Sequence, residues 1–358
     1  MSEPQTAPLR VGLLGYGLAG RVFHAPLIAA TPGLELAAVV TRDPERRRAL
    51  QATHPGAAVL DTPDDLWARA GALELVVVAT PNRSHVPLAR AALAAGLAVM
   101  VDKPFAPTAA EARALAAEAR ARRLPLSVFH NRRWDGDFLT VRRLLAEGEL
   151  GAIRRFESRF ERWNPTPRQG WREAGDPAEA GGLLFDLGSH LIDQALQLFG
   201  PVRAVYGELD RRRAGVTVDD DAFAALEHTS GVRSHLWMSK VAAQRGPRFR
   251  VLGKRAAFTK HGLDGQEAAL AAGGIPGAPG WGEESVERWG SLGEDAAARS
   301  IRSEPGAYQE LYLQMAAAVR GEAPVPVEPD DAIAVLDVIE AARASARTGA
   351  VVRLSGPR

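Results

Sequence analysis

The sequence contains no cysteine, which excludes disulfides, thiolate nucleophiles and thiolate zinc sites. It also lacks any run near the roughly 18 apolar residues that a membrane helix needs. Its polar opening and the short, glycine-rich apolar run that follows do not resemble a secretory signal. Charge of one sign is missing too, since 44 basic residues face 43 acidic ones and give no field for binding a polyanion. We therefore expect a cytoplasmic protein with neither nucleic acid nor membrane as partner.

Lysine is also scarce, so each lysine that does occur is a candidate functional residue. Only four of the 44 basic residues are lysine, so arginine supplies the positive charge almost everywhere. A lysine that is kept suggests chemistry that needs a compact ammonium whose pKa can shift. The length of 358 residues predicts about two domains, at roughly 150 residues each.

The first part of the chain alternates short β-branched runs with segments of helical period, which is typical of strands and crossover helices around a parallel sheet. The predicted strands cover residues 9–14, 34–41, 57–60, 73–80, 98–102 and 126–130. Residues 1–130 are therefore predicted to form a Rossmann domain, an α/β fold with a doubly wound parallel sheet.

The pattern changes after residue 131. A helix over 136–147 leads into strands with period-two character at 153–163, 202–212, 222–229 and 231–241. Residues 263–300 are rich in Gly, Pro and acidic side chains and predict a long loop. Helices over 308–320 and 331–347 follow. Residues 131–358 thus predict an α+β domain with a mostly antiparallel sheet and helices on one face.

A GxGxxG motif lies between the first predicted strand and the first helix. It comprises Gly15, Gly17 and Gly20, with Leu18 at its tip. Glycines at these positions permit the tight turn and the approach of backbone to a pyrophosphate, and the helix N-terminus offers free N–H groups. The motif predicts dinucleotide binding.

The end of the second predicted strand bears on which dinucleotide binds. An NAD-specific fold usually places a carboxylate there for the ribose 2′-hydroxyl. This chain has Thr41 and Arg42, which suit a 2′-phosphate, so NADP is favoured. NAD remains possible, with Asp43 reaching the ribose as the alternative interpretation.

Two further motifs point to catalysis. Lys103 follows the fifth predicted strand, at the edge of the sheet where ligands bind. Asp186, His190 and Asp193 fall at i, i+4 and i+7 of a predicted helix, on one face. A carboxylate beside an imidazole fixes its tautomer and raises its basicity, so His190 is a candidate general acid/base. The alternatives are a capped amphipathic helix with a satisfied histidine, and a metal site on the same three residues.

Other polar and aromatic residues are predicted to line the same pocket. Near the nicotinamide end we place Thr80, Pro81, Asn82 and His85. Around the substrate we place Asn131, Arg132, Trp134, Trp163, Trp171 and Arg172, together with Lys103, Asp186 and His190. Capping, packing or a domain junction would explain each of the smaller features equally well.

The motifs together resemble those of the Gfo/Idh/MocA family of oxidoreductases, in particular the NADP-dependent scyllo-inositol dehydrogenases. The similarity is carried by strand-GxGxxG-helix, by Asp102-Lys103-Pro104, by the Gly-Gly-x3-Asp-x3-His-x2-Asp motif over 181–193, and by the runs 21–27, 130–137, 186–194 and 262–267. It implies Lys103, Asp186 and His190 as catalytic residues and a cleft between the domains. For residues 131–358 it implies substrate binding and an open sheet that joins subunits into a dimer or tetramer. It also implies a cis peptide before Pro104, and Asp102 replaces the family's usual glutamate.

The predicted reaction is reversible hydride transfer between NADP(H) and a secondary alcohol or ketone of a cyclic polyol or sugar. In this hypothesis His190 moves the hydroxyl proton, Asp186 orients the imidazole and Lys103 stabilises the developing alkoxide. No metal is expected. A non-catalytic NADP-sensing or scaffold protein is the alternative function, and a metal-dependent enzyme using Asp186, His190 and Asp193 is a third.

Overall fold

A computed structural model describes residues 7–167 and 175–354 and contains two β-sheets with flanking helices. The strands are β1 (Leu9–Leu14), β2 (Leu34–Val40), β3 (Ala58–Leu60), β4 (Leu75–Val78), β5 (Ala98–Val101), β6 (Leu126–Val128), β7 (Ile153–Glu161), β8 (Val202–Asp210), β9 (Asp221–His228), β10 (Arg233–Ser239), β11 (Phe249–Gly253), β12 (Ala257–Lys260), β13 (Gly290–Gly293), β14 (Arg299–Ile301) and β15 (Val352–Arg353). The α-helices are α1 (Ala25–Ala30), α2 (Pro44–Thr53), α3 (Pro63–Trp67), α4 (His85–Ala94), α5 (Ala109–Arg122), α6 (Gly136–Ala146), α7 (Ser189–Phe199), α8 (Gln266–Ala271), α9 (Gln309–Val319) and α10 (Pro329–Thr348). Within these described parts, no helix is both long and apolar enough to cross a membrane.

The first sheet is parallel, with strand order β3-β2-β1-β4-β5-β6. This is the doubly wound order, and the predicted fold of the first part is confirmed. The run Val76–Val78 in β4 is fully buried, because helices cover both faces of a central strand. The strand order reverses between β1 and β4, so the segments that follow these strands border the crevice where ligands bind in such sheets.

The second sheet has the order β14-β13-β12-β11-β7-β10-β9-β8-β15. Its pairs are antiparallel except β7 with β10, so the predicted mostly antiparallel sheet is also confirmed. Along β9 buried and half-buried residues alternate, which leaves one face of the sheet partly open to solvent. Helix α10 packs against both β8 and α5, so it connects the second sheet to a helix that flanks the first sheet.

The loop predicted over residues 263–300 is wrong in part. The structure forms α8, β13 and the start of β14 within it. Strand β13 is held by main-chain pairing with β12 and by the burial of Leu292, and β14 is held by pairing with β13. A Cβ at Gly290 would lie 2.4 Å from ring atoms of Phe258, so a glycine is needed there for close packing. Glycine gives no hydrophobic period, which is why the strand is invisible in the sequence pattern.

The contact between α10 and β8 predicts a position that tolerates no side chain. Gly207 is buried on β8, and a Cβ there would lie 2.5 Å from the carbonyl oxygen of Ala342. We expect Gly207→Ala to lower the free energy of unfolding by about 1–3 kcal/mol, measured by urea denaturation, since backbone cannot move aside cheaply. Gly71→Ala is the control, because nothing lies within 4 Å of its added Cβ. Equal losses in the two variants would contradict the packing explanation.

Candidate active site

The glycine turn places backbone, not side chains, at the end of β1. Gly15 has φ +98°, and a Cβ there would lie 2.4 Å from the carbonyl oxygen of Ala79. A Cβ at Gly20 would lie 2.1 Å from the carbonyl oxygen of Gly15. Only glycine fits at either position. Leu18 is 56% exposed at the tip, ahead of a π-helical turn that starts the first helix. This geometry fits the approach of a pyrophosphate to free N–H groups.

The segment after β2 carries the exposed Arg42, and the Asp43 carboxylate next to it caps α2. The Asp43 side chain accepts hydrogen bonds from the backbone N–H groups of Glu45 and Arg46 at 2.9 and 3.1 Å, which caps α2. Thr41 is buried, whereas Arg42 is exposed and has no hydrogen bond or ion pair with any residue the structure describes. The alternative contact of Asp43 with a ribose is therefore disfavoured, since its carboxylate is engaged in the cap.

Lys103 reaches from the first sheet to the second part of the chain. Its Nζ donates to the carbonyl oxygen of Asp186 at 2.6 Å and to the Asp186 carboxylate at 2.8 Å. Both side chains are partly buried, with 16% and 29% of their surface exposed. The peptide bond between Lys103 and Pro104 is cis, as the resemblance implied. A narrow cleft adjoins the pair and is lined by Asn82, Lys103, Pro104, Ala180, Gly181, Gly182 and Asp186.

The expected contact between Asp186 and His190 is wrong. Residues Leu184–Gly188 form a π-helical turn, and α7 begins only after it, so the spacing of a regular helix does not apply. No hydrogen bond joins Asp186 to His190 within the described residues. Asp193 is committed elsewhere, since its carboxylate accepts from Arg133 at 2.6 Å. The described ranges also hold no group of three His, Asp or Glu placed to bind a metal ion.

His190 is buried beside positive charge rather than beside a carboxylate. Its Nδ1 has no hydrogen-bond partner among the described residues. Its ring meets that of His130 edge to face, with centroids 6.2 Å apart and an interplanar angle of 85°. Burial, and then the charges of Lys103 and Arg132, lower the pKa of His190 well below its ordinary value. The imidazole is therefore neutral at pH 7, and the raised basicity expected from the sequence is wrong.

The segment after β4 braces the same edge of the sheet. His85 is buried, with Nδ1 2.8 Å from the carbonyl oxygen of Pro104 and Nε2 2.9 Å from that of Thr80. Asn82 donates to the carbonyl oxygen of Glu179 at 2.7 Å. The backbone oxygen of Pro81 accepts from a serine hydroxyl at 2.6 Å. The residues predicted near the nicotinamide thus lie together beside Lys103, and they also hold the segment that leads to Asp186.

The residues predicted around the substrate are less uniform. Asn131, Arg132 and Trp134 are buried, and the Arg132 guanidinium is held by Glu267 at 2.6 Å. Trp163, in contrast, is 55% exposed. Trp171 and Arg172 lie outside the residues that the structure describes.

His130 is a residue that the sequence analysis did not select for the site. It follows β6, is buried, and has an Nδ1 without a partner among the described residues. Its place after a parallel strand, at the same edge as Lys103, was a usable signal. A lone histidine at a domain junction is nevertheless more often a packing residue, so sequence alone gives little reason to choose it.

Comparisons with known proteins agree with this arrangement. Residues 9–130 match the Gfo/Idh/MocA oxidoreductase family, NAD-binding Rossmann fold, and residues 142–354 match its C-terminal alpha/beta domain. The chain is 41% identical to the oxidoreductase YdgJ of Escherichia coli (strain K12), over 97% of this chain and 99% of that protein. It is 35% identical to scyllo-inositol 2-dehydrogenase (NADP(+)) IolW of Bacillus subtilis (strain 168), over 97% and 96%. The structure of oxidoreductase YPO2259 from Yersinia pestis covers 100% of both chains with TM-score 0.91 and 41% identity.

The surroundings of His190 predict its titration. We expect its pKa, followed by NMR across a pH series, to lie below 6.5 in the wild-type protein. Lys103→Met should raise that pKa without restoring it fully, because the nearby charge is lost while burial remains. Lys254→Met removes an exposed lysine and should leave the His190 titration unchanged. A wild-type pKa at or above the ordinary value, or no response to Lys103→Met, would contradict this account.

Proposed function

The chain belongs to the Gfo/Idh/MocA family of oxidoreductases, and on this basis we propose that it transfers a hydride between NADP(H) and a secondary alcohol or ketone of a cyclic polyol or sugar. The observation that carries the proposal is the ion pair of Lys103 with Asp186, beside neutral His190. All three lie next to the edge of the sheet where the glycine turn ends. A relative named for scyllo-inositol and NADP(+) supports an inositol-like substrate.

The catalytic roles follow from charge and geometry. The nicotinamide supplies hydride chemistry when bound. In alcohol oxidation, neutral His190 takes the hydroxyl proton, and the Lys103 ammonium stabilises the developing alkoxide. Asp186 holds Lys103 in place rather than orienting the imidazole, because its carboxylate bonds Nζ. In ketone reduction the same groups act in reverse, and the proton returns to the new alcohol.

NADP is the proposed cofactor, with NAD as the weaker alternative. Arg42 is exposed beside the end of β2 and lacks a partner among the described residues, so it is available for a 2′-phosphate. Arg46 lies on the same side, with Nη1 3.9 Å from the position of a Cβ on Gly17. Both features favour an additional phosphate over a bare ribose.

We also propose a division of labour, with residues 1–130 binding the cofactor and 131–358 binding substrate and further copies of the chain. A homodimer or homotetramer would use the partly open face of the second sheet. Phe223, His235 and Trp237 are half-buried there, and Arg159 stacks on the Trp237 ring at 3.9 Å. Aromatic and arginine side chains of this kind are enriched in protein interfaces.

The direct test is reduction of NADP⁺, with NAD⁺ in parallel, by the purified protein against inositols and common sugars. We expect turnover with an inositol and NADP⁺. His190→Ala should lower kcat by about 10²–10⁴-fold, the range for general acid–base catalysis, while NADPH binding stays intact. Tight NADPH binding without turnover on any compound would instead favour a sensing or scaffold role. An unchanged rate in His190→Ala would remove this residue from the mechanism.

Cofactor selectivity gives a separate prediction for Arg42. Arg42→Ala should weaken NADPH binding about tenfold or more, because a charge-assisted hydrogen bond contributes about 1.5–3 kcal/mol. NADH has no 2′-phosphate, so its dissociation constant should stay the same. Fluorescence titration measures both, with Arg122→Ala as an exposed-arginine control. Equal losses for NADPH and NADH would overturn the assignment of a 2′-phosphate site.

A further inference from the structure

Three buried side chains connect α9 of the second part of the chain to the residue before Lys103. The Tyr312 hydroxyl oxygen lies 2.6 Å from His24 Nδ1, and both residues are fully buried. His24 Nε2 lies 3.9 Å from the Asp102 carboxylate. The other oxygen of that carboxylate accepts the backbone N–H of Lys103 at 2.8 Å. We refer to Tyr312, His24 and Asp102 as the positioning chain.

The donor directions within this chain follow from the acidity of the phenol. Burial, and then the charge of Asp102, raise the pKa of Tyr312 well above its ordinary value, so the hydroxyl keeps its proton. A phenol that donates to Nδ1 leaves an imidazole proton for Nε2, which faces the carboxylate at 3.9 Å without a direct hydrogen bond. The opposite tautomer would aim a lone pair at an anion. The ring plane is also restrained, because Phe129 packs on it with centroids 4.2 Å apart.

Asp102 is held as an anion in a buried place. Burial alone would raise its pKa, but the proximity of His24, followed by that of Lys103 and His85, brings that pKa below its ordinary value. The charge of Asp102 in turn raises the pKa of Tyr312. The ionised carboxylate is therefore available at neutral pH to bind the Lys103 main chain.

We propose that Tyr312 and His24 are positioning residues that hold Asp102 and, through it, Lys103 for the reaction. Asp102 fixes the Lys103 backbone, and the lysine side chain then reaches Asp186. Because Tyr312 and Asp186 both come from the second part of the chain, the lysine is anchored to that part through its main chain and through its ammonium. This role rests on the proposed function.

The kinetic test uses Tyr312→Phe, which removes one hydroxyl. We expect kcat to fall about 10–100-fold, since a shift near 1 Å in a reacting group has effects of that size. The KM for the polyol and the dissociation constant of NADPH should change less than about twofold. Ser127→Ala is the matched control, because it removes another fully buried hydroxyl, one that donates to the carbonyl oxygen of Val327 at 2.9 Å. Equal loss of kcat in both variants would reduce the role to general packing.

The pH dependence separates positioning from stability. A carboxylate with a lowered pKa acts in its ionised form above that pKa, and its contribution is lost as pH falls through it. Removing the Tyr312 hydroxyl weakens the support of His24, so the pKa of Asp102 should rise. The pKa of Asp102, followed by ¹³C NMR of its carboxyl carbon across a pH series, should therefore be higher in Tyr312→Phe but unchanged in Ser127→Ala. An unchanged Asp102 pKa in Tyr312→Phe would contradict the proposal.

A measurement without turnover separates this inference from the proposed reaction. The ¹⁵N shifts of His24 should show Nε2 protonated and Nδ1 unprotonated in the wild-type protein, and this preference should be lost in Tyr312→Phe. Protonated Nδ1 in wild type, or no change in the variant, would contradict the positioning role of Tyr312 and His24, whether or not the protein turns over a polyol. In an active wild type, losses from Tyr312→Phe and Asp102→Asn should be non-additive, because both act through His24. Strictly additive losses in the two variants would also contradict the positioning role.

Discussion

The ion pair between Lys103 and Asp186 joins the first sheet to the helical segment that follows the second part's first strand. Two charges that are partly withdrawn from water need each other, because an unpaired one would cost several kcal/mol. The pair is one of the contacts, with the packing of α10 on α5, that hold the two parts of the molecule together. Burial, together with the charge of the Lys103 ammonium, lowers the pKa of nearby His190. Lys103 and Asp186 also line the narrow cleft between the two parts, so their contact shapes it.

Much of the surrounding junction is built from buried ion pairs rather than from apolar packing alone. Arg133 and Asp193 are both buried, and buried Arg132 pairs with half-exposed Glu267, each at 2.6 Å. Burial, opposed by Arg132 and helped by nearby carboxylates, raises the pKa of Asp135 to about 8. Such pairs contribute little net stability, yet breaking one leaves an uncompensated charge, so they specify a single arrangement. Arginine suits them because its planar fork binds carboxylates at two points. At position 103 a lysine supplies a point charge instead.

The site could be predicted from sequence where the signal is local. Gly15 and Gly20 were identified from their spacing, which is local, although the close backbone approach at Gly15 is to Ala79 after β4 and only that at Gly20 is to the turn itself. Asp186 and His190 were also identified, but their partners were not. A π-helical turn changes the angular spacing, and a lysine far along the chain offers a stronger partner for the carboxylate than a neutral imidazole. His130 and His24 were not selected because their significance lies in contacts across the fold.

The sequence by itself determined the two sheets, the glycine turn and the edge that carries Lys103, because hydrophobic period, glycine spacing and strand-to-helix order are local properties of a chain. It did not reveal the edge strands β13 and β14, since main-chain pairing needs no periodic side chains. Only the tertiary structure decided that Asp186 pairs with Lys103, that His190 is neutral and that Tyr312 reaches His24. Charge, burial and hydrogen-bond partners depend on distances between residues far apart in sequence, and folding alone fixes those distances.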